Sequence, residues 1–93
     1  MSADCRITYS PDPAQRGTTV TICYDTTGVT TWPIVLDIDF EPHGHMSQTI
    51  DMDDVSPDMP VICWSVLVPD DADGCLVHDQ SGWSSDCAIT VTP

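Results

Sequence analysis

The chain has 93 residues and a formal net charge of −13, from fifteen acidic residues against two arginines. A surface this acidic repels phosphates, which excludes nucleic acids and anionic membranes as partners and favours cations, basic partners or simply solubility. No apolar run is long enough to cross a bilayer as a helix.

The composition predicts an all-β protein. Fourteen of the acidic residues are aspartates and only one is a glutamate, and the chain also holds eleven threonines and eight prolines. Aspartate and proline suit turns, and threonine suits strands. Seven short segments separated by turn signals are predicted as strands: 5–9, 18–25, 32–41, 46–53, 61–68, 75–79 and 86–92.

The third predicted strand, 32–41, has the clearest alternation. Its even-numbered positions from Trp32 to Phe40 are all large and apolar, while Asp37, Asp39 and Glu41 are odd-numbered. Successive side chains of a strand point to opposite faces, so the apolar set is predicted to be buried and the carboxylates to face outward. The same argument predicts Ile50 and Met52 to be buried.

Seven antiparallel strands at about ten-residue spacing are typical of an immunoglobulin-like β-sandwich. No linker, repeat or low-complexity tract divides the sequence. Residues 1–93 are therefore predicted to form one such domain, supported by disulfides.

Five cysteines with no Cys-x-x-Cys pair favour disulfides in an oxidising compartment over a zinc or thioredoxin-like site. Cys75 and Cys87 lie at facing ends of the last predicted hairpin, which favours a bridge between them. Cys23 and Cys63 both face outward on strands that would be neighbours, which leaves Cys5 unpaired. The rival pairing is Cys5 with Cys23, and an unpaired cysteine would allow a homodimer.

The segment "CWSVLVPDDADGCLVHDQSGWSSDCAITV" (63–91) resembles the immunoglobulin-like domain of fungal Kre9/Knh1-type, Ser/Thr-rich, GPI-anchored cell-wall proteins. The resemblance is carried by strand and turn residues: Trp64, Val68, Pro69, Gly74, Val77, Asp79, Ser81, Gly82, Ile89 and Val91. It implies a secreted protein associated with the cell wall or β-glucan, with no catalytic residues. The Ser/Thr-rich stalk and the anchor signal of that family do not occur here, and a leader would have to precede the sequence shown.

The carboxylates of the third strand have two interpretations. If the next strand pairs with it through a turn at 42–45, Asp51 and Asp53 would join Asp37, Asp39 and Glu41 on one sheet face. Five carboxylates can ligate a hard cation such as Ca²⁺. The alternative is a solvated outer face that opposes aggregation.

The turn "EPHGHM" offers a second candidate for a metal. His43, His45 and Met46 combine imidazole with thioether, which suits copper, and the imidazoles alone suit zinc. The alternative is an ordinary exposed turn.

Trp83 lies in the turn between the last two predicted strands, after Ser81-Gly82. It either folds back over the sheet edge or is displayed, in which case it can stack on a sugar or anchor a partner.

These observations predict a secreted, extracellular module that acts by binding or as structure and not as an enzyme. Cell-wall polysaccharide or an extracellular protein is the expected partner, and Trp83 with the carboxylates Asp37, Asp39, Glu41, Asp51 and Asp53 forms the expected binding surface. The alternative is an extracellular cation-binding domain that uses the carboxylates for calcium, or the 43–46 turn for copper or zinc.

Overall fold

The computed structural model describes residues 4–41, 44–56 and 58–92, and within these ranges it contains strands and one short 3-10 turn but no α-helix. Every predicted segment contains a strand, and two strands of two residues were not predicted as separate elements. In chain order the strands are β1 Ile7–Ser10, β2 Ala14–Gln15, β3 Thr19–Asp25, β4 Ile34–Glu41, β5 Gly44–Ile50, β6 Val61–Leu67, β7 Gly74–Asp79, β8 Cys87–Ile89 and β9 Val91–Thr92.

Two antiparallel sheets make up most of the fold. One has three strands in the order β1-β3-β6, and the other has four in the order β5-β4-β7-β8. The short strands β2 and β9 form a parallel pair. The predicted last strand, 86–92, is therefore two strands: β8 pairs with β7, and β9 leaves that sheet to pair with β2. The all-β prediction is confirmed.

One apolar core contains side chains from both sheets, and it follows the alternation seen in the sequence. The even-numbered residues of β4 and of β3 point inward, as predicted, and Ile34, Leu36 and Ile38 of β4 have no exposed surface. Each fully buried side chain of this size is worth about 1.5–3 kcal/mol relative to its exposed state. The buried apolar residues are Ile7, Ala14, Val20, Ile22, Tyr24, Ile34, Leu36, Ile38, Phe40, Ile50, Val66, Val68, Ala72, Cys75, Val77, Cys87 and Ile89.

The prediction that Met52 is buried is wrong. Strand β5 ends at Ile50, and Met52–Asp54 form a 3-10 turn in which Met52 is 62% exposed. The turn begins at Asp51, whose backbone N–H donates to the Asp54 carboxylate. An aspartate that bonds nearby backbone in this way competes with continued strand pairing.

Two disulfides link parts of the chain that are distant in sequence. Cys23–Cys63 joins directly paired residues of β3 and β6, and this predicted bridge is confirmed. Cys5–Cys87 ties the segment before β1 to β8 of the other sheet. The predicted Cys75–Cys87 bridge is wrong, because the strand register places Val77 opposite Cys87 and Ile89 opposite Cys75.

Cys75 is therefore the free cysteine, and it lies in the core. Burial, with a smaller contribution from the charge of Asp39, raises the pKa of its thiol to about 12. A thiol that is both buried and protonated is unreactive. The expectation of a dimer through an unpaired cysteine loses its basis, since Cys5 is bonded and Cys75 is enclosed.

Candidate functional site

The outer face of the four-stranded sheet carries most of the polar side chains predicted to bind. We define this face by the outward-pointing residues of β5, β4, β7 and β8 together with Gln80, which follows β7. None of these residues is buried: His45, Ser47, Thr49, Val35, Asp37, Asp39, Glu41, Leu76, His78, Gln80 and Ala88. Asp37 and Asp39 occupy its centre because β4 is an inner strand, with β5 on one side and β7 on the other.

Two histidines lie among these carboxylates. The Nδ1 atom of His45 is 3.0 Å from one oxygen of Asp37 and 3.9 Å from one oxygen of Asp39. On the other side of β4, His78 lies opposite Asp37 in the ladder, and its Nδ1 atom is 2.6 Å from Asp86. The His45 imidazole thus lies within hydrogen-bond distance of the Asp37 carboxylate, and that of His78 is paired with Asp86.

The hydrogen bond that the imidazole donates to the Asp86 carboxylate, followed by the charge of that carboxylate, raises the pKa of His78 above its ordinary value. The imidazolium–carboxylate pair is thus present below this raised pKa, and any stabilisation it provides is lost as the pH rises through it. We expect the Asp86→Asn substitution to lower the pKa of His78, measured by NMR titration of the imidazole ring protons. An unchanged His78 titration would contradict the pairing.

Trp83 borders a shallow hollow at one end of the outer face. The hollow has a volume of about 350 Å³ and is lined by Trp83 together with Thr31, Pro33, Val35, Gln80 and Ser81. Trp83 is half-buried and packs against the core, so it is neither fully covered nor fully displayed. Trp83 is thus partly folded back over the sheet edge and partly displayed, the two orientations considered from the sequence.

The turn that carries Trp83 is held by hydrogen bonds to Asp79 and from Arg6. The backbone N–H groups of Ser81 and Ser84 donate to the buried carboxylate of Asp79, at 2.8 and 2.9 Å. The Arg6 guanidinium donates to the Trp83 carbonyl oxygen at 3.0 Å. The backbone of this turn is therefore held in place before any ligand arrives, which lowers the entropic cost of ordering it on binding.

The hollow and the carboxylates form one continuous surface. Gln80 donates its backbone N–H to the Val35 carbonyl at 2.9 Å, and both residues line the hollow. The next outward pair along the ladder is Asp37 with His78, and the one after that is Asp39 with Leu76. From Val35 to Glu41 this path extends about 20 Å along the strand.

Asp51 and Asp53 do not belong to this surface, which corrects the prediction of five clustered carboxylates. In the ladder, Ser47 lies opposite Asp37, and His45 lies opposite Asp39. Because Ile50 already pairs with Ile34 at the start of β4, Asp51 and Asp53 continue beyond the end of the strand. They lie at the 3-10 turn instead.

The predicted metal site at the 43–46 turn is not formed by the residues described. His45 and Met46 are successive residues of β5, so their side chains leave opposite faces of the strand. His43 lies outside the described residues. Across 4–41, 44–56 and 58–92, no three side chains of His, Cys, Asp or Glu are grouped so that they could hold one ion.

His78 was not predicted as part of this surface, and His45 was predicted only as a candidate metal ligand. The pairing of β5 with β4 was considered from the sequence, but the place of β7 on the other side of β4 was not, and that strand order brings His78 opposite Asp37. No protein-family model, curated protein or solved structure matches the chain. What this surface can bind therefore follows from its chemistry: an aromatic ring, carboxylate acceptors and imidazole groups arranged along a strand.

Proposed function

We propose that the chain is a secreted, non-catalytic immunoglobulin-like β-sandwich of about seven main strands that binds a cell-wall polysaccharide, β-glucan being the favoured class. The observation that carries the proposal is the continuity of the Trp83 hollow with the Asp37–His78 and Asp39 positions of the outer face. An indole offers an apolar surface to a sugar ring, and carboxylates accept hydrogen bonds from hydroxyl groups.

The shape of this surface supports a chain-like ligand over a compact one. The path is open, about 20 Å long by the rise of a strand, and polar along most of its length. A long neutral ligand can contact the aromatic end and the carboxylates at once. Enzymes that cleave such polymers place two carboxyl groups across a cleft, whereas Asp37 and Asp39 lie side by side on one strand.

The disulfides are a further observation that supports an extracellular location. Two disulfides in a chain of this length are typical of oxidising compartments. In the described residues no helix has the length and apolar character needed to cross a membrane. The Kre9/Knh1-type resemblance adds the fungal cell wall as the proposed setting, and its turn residues Ser81 and Gly82 lie next to Trp83 in the structure.

The test is a fluorescence and calorimetric titration with soluble β-1,3-glucan oligosaccharides. We expect wild type to bind and the Trp83→Ala variant to lose about 2 kcal/mol of binding free energy, roughly thirtyfold in Kd, as aromatic anchors of binding sites do. Trp83→Phe should lose less, because a ring remains, and Asp37→Asn should weaken binding through the lost acceptor.

Trp64→Phe is the matched control, since Trp64 belongs to β6 of the other sheet. It should leave the affinity unchanged. Thermal unfolding of each variant shows whether the fold is retained. Absence of any heat or fluorescence change with wild type, at oligosaccharide concentrations up to the millimolar range, would contradict the proposal.

A further inference from the structure

The strands β5 and β6 are end strands of the two different sheets, so each has one edge that pairs with no other described strand. Between them lies a groove of about 790 Å³, which we call the edge groove. Consecutive residues 64–71 line it on the β6 side, and the side chains of Met46 and Gln48 line it on the β5 side. It is remote in the fold from the Trp83 hollow and shares no lining residue with it.

The free backbone groups of β6 point toward this groove. Val68 donates its N–H to the Thr18 carbonyl at 2.9 Å, and the Pro60 carbonyl accepts from Thr26, so the even-numbered residues are bonded toward β3. In an antiparallel ladder the direction of the backbone groups alternates along the strand. The N–H and C=O groups of Cys63, Ser65 and Leu67 therefore face the open edge.

The groove also has an apolar wall. Trp64 is half-buried, Val66 is buried beside it, and Met46 is 43% exposed. Within the described residues, the indole nitrogen of Trp64 is the buried side-chain polar atom that lacks a hydrogen-bond partner. An unsatisfied buried donor costs about 1–3 kcal/mol.

The charge of the molecule selects the kind of occupant. Asp70 and Asp71 lie at the end of the groove. The two arginines of the sequence are already engaged, Arg6 with the carbonyl groups of Asp25, Thr27 and Trp83, and Arg16 with the Asp73 carboxylate and the Ala72 carbonyl. A second copy, also carrying a net charge of −13, would be repelled.

We propose that the edge groove binds an extended, basic peptide strand of a partner protein. The peptide adds to β6 by main-chain hydrogen bonds with Cys63, Ser65 and Leu67, as in other cases of strand addition. Its inward side chains are apolar and pack on Trp64 and Met46. Its basic side chains face the carboxylates at the end of the groove, including Asp70.

The first experiment uses a short fluorescein-labelled peptide in which lysine and valine alternate, with fluorescence anisotropy as the readout. We expect this peptide to bind, its glutamate–valine counterpart not to bind, and added salt to weaken the complex. Two N-methylated versions, methylated only at the lysines or only at the valines, test strand pairing. Only one of them should lose binding, because alternate N–H groups of a strand face the same neighbour.

The second experiment tests the edge itself with a matched pair of variants. Ser65→Pro removes an N–H that faces the groove and has no partner on β3, so we expect the fold to be retained and the peptide to bind about tenfold more weakly. Ser47→Pro makes the same change at the free edge of β5 and should leave the affinity unchanged. Asp70→Asn should weaken binding about twofold to fivefold.

Several outcomes would overturn the proposal. One is the absence of an anisotropy change with the lysine–valine peptide. Another is equal binding of the lysine and glutamate peptides, and a third is an equal effect of the two methylation patterns. A Ser65→Pro variant that remains folded and binds like wild type would also overturn it. So would a dimer, measured by sedimentation equilibrium, that Ser65→Pro disrupts, because the occupant would then be a second copy.

Discussion

Replacing both Cys5 and Cys87 with alanine is expected to lower the free energy of unfolding by about 4.5 kcal/mol, since a crosslink restricts the unfolded chain most when it closes a long loop. The two cysteines are 82 residues apart, so this bridge closes nearly the whole described chain. It also ties the segment before β1 to the four-stranded sheet, whereas β1 itself pairs with β3 of the other sheet. The measurement is equilibrium unfolding in urea at 25 °C.

The second disulfide and the free cysteine provide matched comparisons. Cys23 and Cys63 are 40 residues apart, and replacing both with alanine should cost about 4 kcal/mol by the same loop-closure argument. Replacing Cys75 alone removes only a buried sulfur atom and should cost about 1 kcal/mol. If the Cys75 variant were as destabilised as either double variant, the assignment of the bridges would be wrong.

Thiol chemistry tests the same assignment without any substitution. Because Cys75 is buried and its pKa is raised to about 12, it should resist alkylation in the native protein and react once the protein is unfolded without reductant. Peptide mapping of the unreduced protein should then recover the Cys5–Cys87 and Cys23–Cys63 pairs. Recovery of a Cys75–Cys87 pair would contradict the structure.

The cysteines illustrate which parts of the fold the sequence predicts. Alternation along β3 and β4 correctly predicted which side chains are buried, because the pleat of a strand fixes that property locally. Register between strands is not local: both Cys75 and Cys87 face inward, yet they are offset by two residues in the ladder. The Cys23–Cys63 prediction was right because these residues pair directly.

The same distinction applies to the candidate site. The outward direction of Asp37, Asp39 and Glu41 follows from parity alone, and the structure places them on the outer face. Asp51 and Asp53 have the parity expected of that face, but β5 ends before reaching them. The place of His78 opposite Asp37 required knowledge of strand order, which no pattern within one strand contains.

The Asp79→Ala substitution should lower the free energy of unfolding by about 4 kcal/mol, because a buried acceptor of several hydrogen bonds is removed and its donors remain buried. Asp79 is 4% exposed. It accepts hydrogen bonds from the Tyr24 hydroxyl at 2.7 Å and from the backbone N–H groups of Ser81 and Ser84. This carboxylate therefore joins β3 of one sheet to the end of β7 and to the turn that carries Trp83.

Tyr24→Phe removes one of those donors and should cost about 2 kcal/mol, as expected for a hydrogen bond to a charged group. The two effects should not be additive, because both variants break the same bond. Urea unfolding of Asp79→Ala, Tyr24→Phe and the double variant gives the coupling free energy. A coupling near zero would mean that the Tyr24–Asp79 contact contributes nothing to stability.

Alkaline pH offers an independent check on the same pair. Burial, then the hydrogen bond and charge of Asp79, raise the pKa of Tyr24 above its ordinary value, so the folded protein keeps a proton that the unfolded chain releases above about pH 10. The contribution of Tyr24 is fully present below that pH and is lost as the pH rises further, by at most about 1.4 kcal/mol per pH unit. The raised pKa of Cys75 also makes stability fall at alkaline pH, and it does so equally in wild type and in Tyr24→Phe. We therefore expect the stability of Tyr24→Phe to fall less steeply than that of wild type above pH 10. Equal slopes would show that the Tyr24 proton is not held by the fold.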